Sequence, residues 1–147
     1  MTFREKILSK HDLPKIKKAP KTWGGGSMLI PHPASVMNLI DLIPKKQILD
    51  IVTFRSILAL QHDVDICCPL TTGIFVKLVV QGYQEGSIRT PYWRVLKAKG
   101  ELNEKFPGGI DGHKDQLICD GLSIIQKRKK HYVEKYRDFL LHGVKIY

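Results

Sequence analysis

The 147-residue sequence has no apolar run approaching the roughly 20 residues needed to cross a bilayer, and its N-terminus carries charges where a signal peptide would carry its apolar segment. A soluble, cytoplasmic protein with no membrane partner, nucleoid-associated if bacterial, is the expectation. Cysteine is scarce. Cys67 and Cys68 are adjacent and Cys119 lies far away, which is neither a disulfide framework nor a zinc pattern, because neighbouring cysteines rarely give one tetrahedral ion two ligands. Reduced, buried thiols are the ordinary reading, and no metal or other cofactor is expected. No internal repeat is visible. Acidic residues are the minority, 14 against 24 Lys and Arg, so the net charge is +10. At 43% hydrophobic, a chain of this length closes one well-packed core with tails, and a monomer is expected.

The excess charge sits at the two ends. From Met1 to Ser27, Arg4, Lys6, Lys10, Lys15, Lys17, Lys18 and Lys21 face Glu5 and Asp12. From Lys127 to Tyr147, Lys127, Arg128, Lys129, Lys130, Lys135, Arg137 and Lys145 face Glu134 and Asp138. Each end therefore carries +5 (seven minus two), and the middle is balanced. A polyanion suits such ends, since every phosphate neutralised releases counterions. The bland reading is that they keep the protein soluble.

Thr2–Lys10 starts with a capping residue, Thr2, and reads as a short amphipathic helix with Phe3, Ile7 and Leu8 apolar. LPKIKKAPKTWGGGS, with two prolines and three successive glycines, reads as a linker without regular structure. Pro33 opens a helix whose stripe is Val36, Leu39, Ile40 and Ile43 and which Pro44 stops. QILDIV suggests a short strand, and Thr53 the N-cap of a second core helix with Phe54, Ile57, Leu58 and Leu60 apolar. Pro69 opens a third. Leu70, Ile74, Leu78, Phe75 and Val79 form its broad apolar side, and Gly73, Lys77, Gln81 and Gln84 a narrow polar strip. Two helices joined by HDVDICC fit a helix-turn-helix, and they equally fit a plain core pair. RVLKAKGELN reads as strand, turn at Lys99-Gly100 and return, the form of a wing. PGG is a tight turn into a helix over Asp111–Asp120, with Gly121 capping it. Tyr132, Tyr136, Phe139 and Leu140 are spaced for a final amphipathic helix over Lys127–Leu141.

The order helix, helix, PYWRV, glycine-containing turn, PGG and a helix ending in LICDGL resembles the C-terminal domain of the alkylguanine-DNA alkyltransferases, whose reactive strand reads Pro-Cys-His-Arg-Val. The resemblance spans about Met28 to Leu122. It implies an α+β, mainly helical fold: a winged helix-turn-helix of the alkyltransferase type, here with extra N- and C-terminal helices. The implied division is 1–27 a basic extension and linker, 28–126 a winged-helix DNA-binding domain and 127–147 a basic C-terminal helix. In that family the domain enters the minor groove, a base is rotated into a pocket, and the cysteine takes its alkyl group. Here Tyr92 stands at the acceptor cysteine, Trp93 at the activating histidine and Asp120 at the family glutamate. A phenol with a pKa near 10 is a poor nucleophile at neutral pH. The resemblance is therefore to the alkyltransferase-like branch, which recognises alkylated bases without repairing them. Gly73 stands where the family arginine replaces the rotated base.

The expected function is non-enzymatic DNA binding, with damage recognition through a lesion pocket of Tyr92, Trp93 and Asp120. DNA contacts are expected from Thr71, Thr72, Gly73, Lys77, Arg94, Lys97 and Lys99. Double-stranded DNA is the expected partner, RNA a variant, and repair proteins further partners. Pro91 predicts that Tyr92 and Trp93 enter an extended strand whose neighbouring side chains point to opposite faces, so that one ring lines a cleft. A structural or interaction module reusing the fold predicts instead that both rings are buried. An enzyme acting through Cys119 or Asp120 would need a histidine beside it, and His113 lies about two turns earlier on the same helix.

Overall fold

The computed structural model describes residues 1–142. The helices and strands run in the order α1 (Phe3–Leu8), β1 (Lys15–Lys18), β2 (Ser27–Ile30), α2 (Pro33–Asp41), β3 (Leu49–Asp50), α3 (Ile51–Gln61), β4 (Ile66–Cys67), α4 (Pro69–Glu85), β5 (Val95–Leu96), α5 (Gly109–Cys119), β6 (Ile124–Lys127) and β7 (Lys130–Val133). The α+β, mainly helical class expected from the sequence is the one observed. Two compact units divide it. One comprises Met1–Leu39 with Phe54–Thr90, the other Ile40–Thr53 with the chain from Pro91 onward.

In the first unit, the Thr2 hydroxyl accepts the Glu5 N–H at 3.1 Å and starts α1, which buries Ile7. The stretch expected to be a linker is ordered. β1 pairs antiparallel with β2, from Lys15 opposite Ile30 to Lys18 opposite Ser27, and β2 pairs parallel with β4. The three glycines read as a linker signal instead turn the chain: Gly24, Gly25 and Gly26 all have positive φ, and Ala19 N–H donates to the Gly26 carbonyl at 2.8 Å. Pro69 occupies the first turn of α4, and the Cys68 sulfur caps it by accepting from Thr71 N–H at 3.5 Å. The α1 end is tied to α4, where Phe3 N–H donates to Glu85 Oε2 at 2.9 Å.

In the second unit, β3 and β5 form a parallel pair, with Leu49 opposite Val95 and Asp50 opposite Leu96. Asp50, not Thr53, caps α3: its carboxylate accepts the Thr53 N–H at 2.9 Å and the Thr53 hydroxyl at 2.8 Å. The Lys99-Gly100 turn is present, with φ of 62° and 80°. The chain returns as expected, with Lys97 N–H on the Glu101 carbonyl at 2.8 Å, but the two limbs do not pair as a strand ladder. β5 takes its partner from β3, and Glu101 bridges to Tyr132. α5 begins two residues earlier than predicted. Its C-terminus closes with Gly121 at φ 93°, Gly121 N–H on the Ile118 carbonyl at 2.9 Å and Leu122 N–H on the Leu117 carbonyl at 3.1 Å.

The expected C-terminal helix is also absent among the described residues. Ile124–Lys127 and Lys130–Val133 form an antiparallel hairpin, followed by a 3-10 turn over Tyr136–Phe139. The ladder wins over the helical spacing of the aromatics because β7 finds partners on both sides, β6 on one and the Leu102 segment on the other, where Leu102 N–H donates to the His131 carbonyl at 2.9 Å. Farther along the chain, Ile48 N–H donates to the Phe139 carbonyl at 2.8 Å. Residues 143–147, including Lys145 of the basic C-terminal end, lie outside the described residues.

Candidate nucleic-acid interface

Helix α4 buries Thr72, Val76, Val79 and Val80. Its face is therefore turned from the one the periodicity suggested. Leu70 and Ile74, expected inside, are 68% and 59% exposed, and they share the outward strip with Gly73 and Lys77. Burial removes Thr72 from the expected DNA contacts. Its hydroxyl donates to the Cys68 carbonyl at 2.7 Å and lies 3.3 Å from Cys67 Sγ. Thr71 is half-buried, and its hydroxyl donates to Cys68 Sγ at 3.2 Å. Cys67 and Cys68 are buried as expected, and burial pushes the Cys67 thiol pKa up, whereas Cys119 is exposed. A Cβ built on Gly73 meets nothing within 4 Å, so this position, where the family arginine was expected to align, is open on the helix surface.

The second unit gathers the expected lesion-pocket residues into its interior. Tyr92 and Trp93 do not lie in a strand. They begin a 3-10 turn over Tyr92–Arg94, so successive side chains do not alternate, and both rings are buried, at 3% and 9% exposure. They meet edge to face with centroids 5.3 Å apart, and Tyr92 meets Phe106 in the same way at 5.2 Å.

Asp120 holds the same turn from α5. Trp93 Nε1–H donates to its Oδ2 at 2.9 Å, Arg94 Nε–H to the same oxygen at 2.7 Å, and an Arg94 terminal N–H to Oδ1 at 3.0 Å. The remaining Arg94 fork donates to the Ile43 carbonyl at 2.8 Å, and the guanidinium carbon stands 5.7 Å from the Trp93 ring centroid. Arg94 is thus an internal clamp, not the DNA contact expected of it. Sequence reasoning missed this role; the signal on offer was an arginine set inside the apolar run from Tyr92 to Leu96, while its partner Asp120 lies 26 residues away.

His113 is the second member of the cluster that the sequence did not assign. Its Nδ1 accepts the Asn103 N–H at 2.9 Å and its Nε2–H donates to the Trp93 carbonyl at 2.7 Å, which fixes a neutral tautomer. Burial pushes its pKa down to about 4. Neither bond reaches Asp120 or Cys119, so the acid–base pair that an enzymatic reading required is not assembled.

Among the remaining expected contacts, Lys97 is engaged by Glu104 at 3.3 Å and Glu101 at 3.6 Å. Partial burial alone would lower its ammonium pKa, but these carboxylates outweigh it and raise the value. Lys77 and Lys99 are exposed. Among the described residues no three His, Cys, Asp or Glu side chains group as a metal site, and no helix is long and apolar enough to cross a membrane.

No protein-family model matches the chain, and no curated protein does either. Solved structures do. The crystal structure of S. pombe Atl1 in complex with damaged DNA containing O6-carboxymethylguanine has a TM-score of 0.56 at 16% identity, covering 74% of this chain and 92% of that one. A structure of S. pombe ATL in complex with DNA gives 0.52 at 14% identity with the same coverage. The fold is that of the alkyltransferase-like proteins. The resemblance drawn from PYWRV, PGG and LICDGL is thereby borne out in three dimensions, over most of the chain.

Proposed function

We propose that this chain is a non-enzymatic DNA-binding protein of the alkyltransferase-like type that engages damaged duplexes. The observation that carries the reading is the shared fold with two structures that hold DNA. A net charge of +10 supports it, because a basic protein gains affinity for a polyanion by releasing counterions. Lys77 and the open Gly73 on the outward strip of α4, and Lys99 at its turn, are the contact candidates that remain accessible. Tyr92 and Trp93 at the acceptor and activating positions support binding without transfer, since neither side chain supplies a nucleophile and base at neutral pH.

A second reading has its own support. The burial of Tyr92, Trp93 and Asp120 favours docking on DNA without discrimination of a lesion, the residues of the would-be pocket being bonded to one another. Titration of fluorescent duplexes with and without an O6-alkylguanine, over a range of salt, separates the two. Tighter binding of the alkylated duplex selects the first reading and requires the aromatic cluster to open. Equal affinities with a steep salt dependence select the second reading, and no binding at low salt overturns both.

A further inference from the structure

The antiparallel hairpin of β6 and β7 ends in four consecutive cations: Lys127, Arg128, Lys129 and Lys130. All four are exposed, as is Gln126 before them. Two features of this tip oppose its own folding. First, Arg128 has φ 59°, a left-handed conformation that a hairpin turn ordinarily assigns to Gly, Asn or Asp. Second, the register sets Lys127 directly opposite Lys130, a like-charge cross-strand pair that repels. The carboxylate near this tip does little to relieve the repulsion: Glu101 Oε1 stands 3.9 Å from the Lys130 ammonium, and the same Glu101 also faces Lys97.

The ladder fixes where these charges point. Leu102 N–H on the His131 carbonyl and the Glu101–Tyr132 bridge hold β7 directly behind the turn, so the four cations sit on an anchored ladder and are not a loose tail. Four cations held together despite repulsion and backbone strain make a concentrated anion site, in which each phosphate bound relieves the repulsion. A two-stranded ribbon is also narrow enough to lie along a groove of duplex DNA.

We infer that the tip of this hairpin, Lys127 to Lys130, is a sequence-independent contact for the phosphate backbone of duplex DNA. The inference rests on the DNA-binding reading above and adds to it a contact made by the second unit. Contacts of this kind position a protein on the duplex and carry the salt dependence of binding, without reading bases.

The test uses the full chain and an unmodified duplex, with affinity measured between low and moderate salt. One variant replaces Lys127, Arg128, Lys129 and Lys130 by Gln. A charge-matched control replaces Lys45, Lys46, Lys105 and Lys114 by Gln. The tip variant is expected to flatten the slope of log affinity against log salt by about 2–4, at up to roughly 0.9 per phosphate contact. The control should flatten it by less than one. Arg128→Gly is expected to raise the melting temperature by relieving the left-handed residue, while flattening the slope by about one. Equal slopes for the tip and control variants would mean that binding follows net charge and would overturn the inference. So would a tip variant that loses affinity for a structured RNA and keeps it for the duplex. If the unaltered protein binds no duplex at low salt, the functional reading itself fails, a result distinct from either.

Discussion

Trp93 and Asp120 are joined by a 2.9 Å hydrogen bond from the indole N–H to the carboxylate, across 27 residues of chain, at the two positions where a lesion pocket was expected to open. The carboxylate is at the same time the buried end of an ion pair with Arg94, whose side chain is 14% exposed against 6% for Asp120. One acceptor therefore holds the 3-10 turn and α5 together. Removing its charge leaves the guanidinium desolvated and unpaired. Asp120→Asn should lower stability by about 3–5 kcal/mol in urea unfolding, the range for breaking one side of a buried pair. A loss below about 1 kcal/mol would mean that water reaches the pair.

The neutral His113 makes stability depend on pH in a definite direction. Its folded pKa of about 4 lies below the ordinary 6.5, so the unfolded chain takes up a proton first. Its contribution is complete above pH 6.5 and is lost as the pH falls from there to about 4. The whole effect is about 3 kcal/mol, at roughly 1.36 kcal/mol for each pH unit separating the folded and unfolded values. His113→Gln should flatten that part of the stability profile, which melting curves at stepped pH would record. An unchanged acid limb in the variant would assign it to other groups.

How far these features could be read in advance depended on whether local signals and tertiary partners agreed. Thr2, Pro33, Pro69 and Gly121 act at the points where their caps and turns were expected, because the chemistry that stops or starts a helix is local. The hairpin of β6 and β7 was misread, since Tyr132, Tyr136 and Phe139 are spaced for a helix while Ile124, Ile125, Tyr132 and Val133 satisfy a ladder, and only the partners Leu102 and Glu101 decide between them. The face of α4 was turned for a related reason. Thr72 is polar by composition but finds the Cys68 carbonyl and enters the interior, leaving Leu70 and Ile74 outside. Tyr92 and Trp93 were rightly placed at the centre of the question and wrongly given alternating faces, because a proline-led segment can curl into a 3-10 turn as readily as extend.

Two helical glycines should respond to the same substitution with opposite signs. Gly73 sits in α4 with open space around it, so Gly73→Ala should stabilise by about 0.5–1 kcal/mol through helix propensity. Gly112 sits in α5, where a Cβ would collide with the Pro107 carbonyl oxygen. Gly112→Ala should therefore destabilise by about 1–3 kcal/mol, the cost of overpacking. Thermal unfolding of the two variants side by side is sufficient, and a stabilised Gly112→Ala would mean that the PGG turn is free to move away from the helix.

Placing a thiol at position 92 should not confer alkyl transfer. In Tyr92→Cys the sulfur would occupy a 3% exposed position beside Trp93, and the Nε2–H of His113, the histidine bonded to this turn, is already taken by the Trp93 carbonyl. A thiol without an adjacent base stays protonated at neutral pH, where free cysteine has a pKa near 8.5, and burial pushes it higher. Incubation with a duplex carrying O6-methylguanine should leave the intact mass of the variant unchanged. Its stability should fall by up to roughly 3–5 kcal/mol, the range for emptying an aromatic site. A methyl adduct on the introduced cysteine would show that the aromatic cluster opens to admit a base, and the account of Tyr92 and Trp93 as closed interior packing would have to be abandoned.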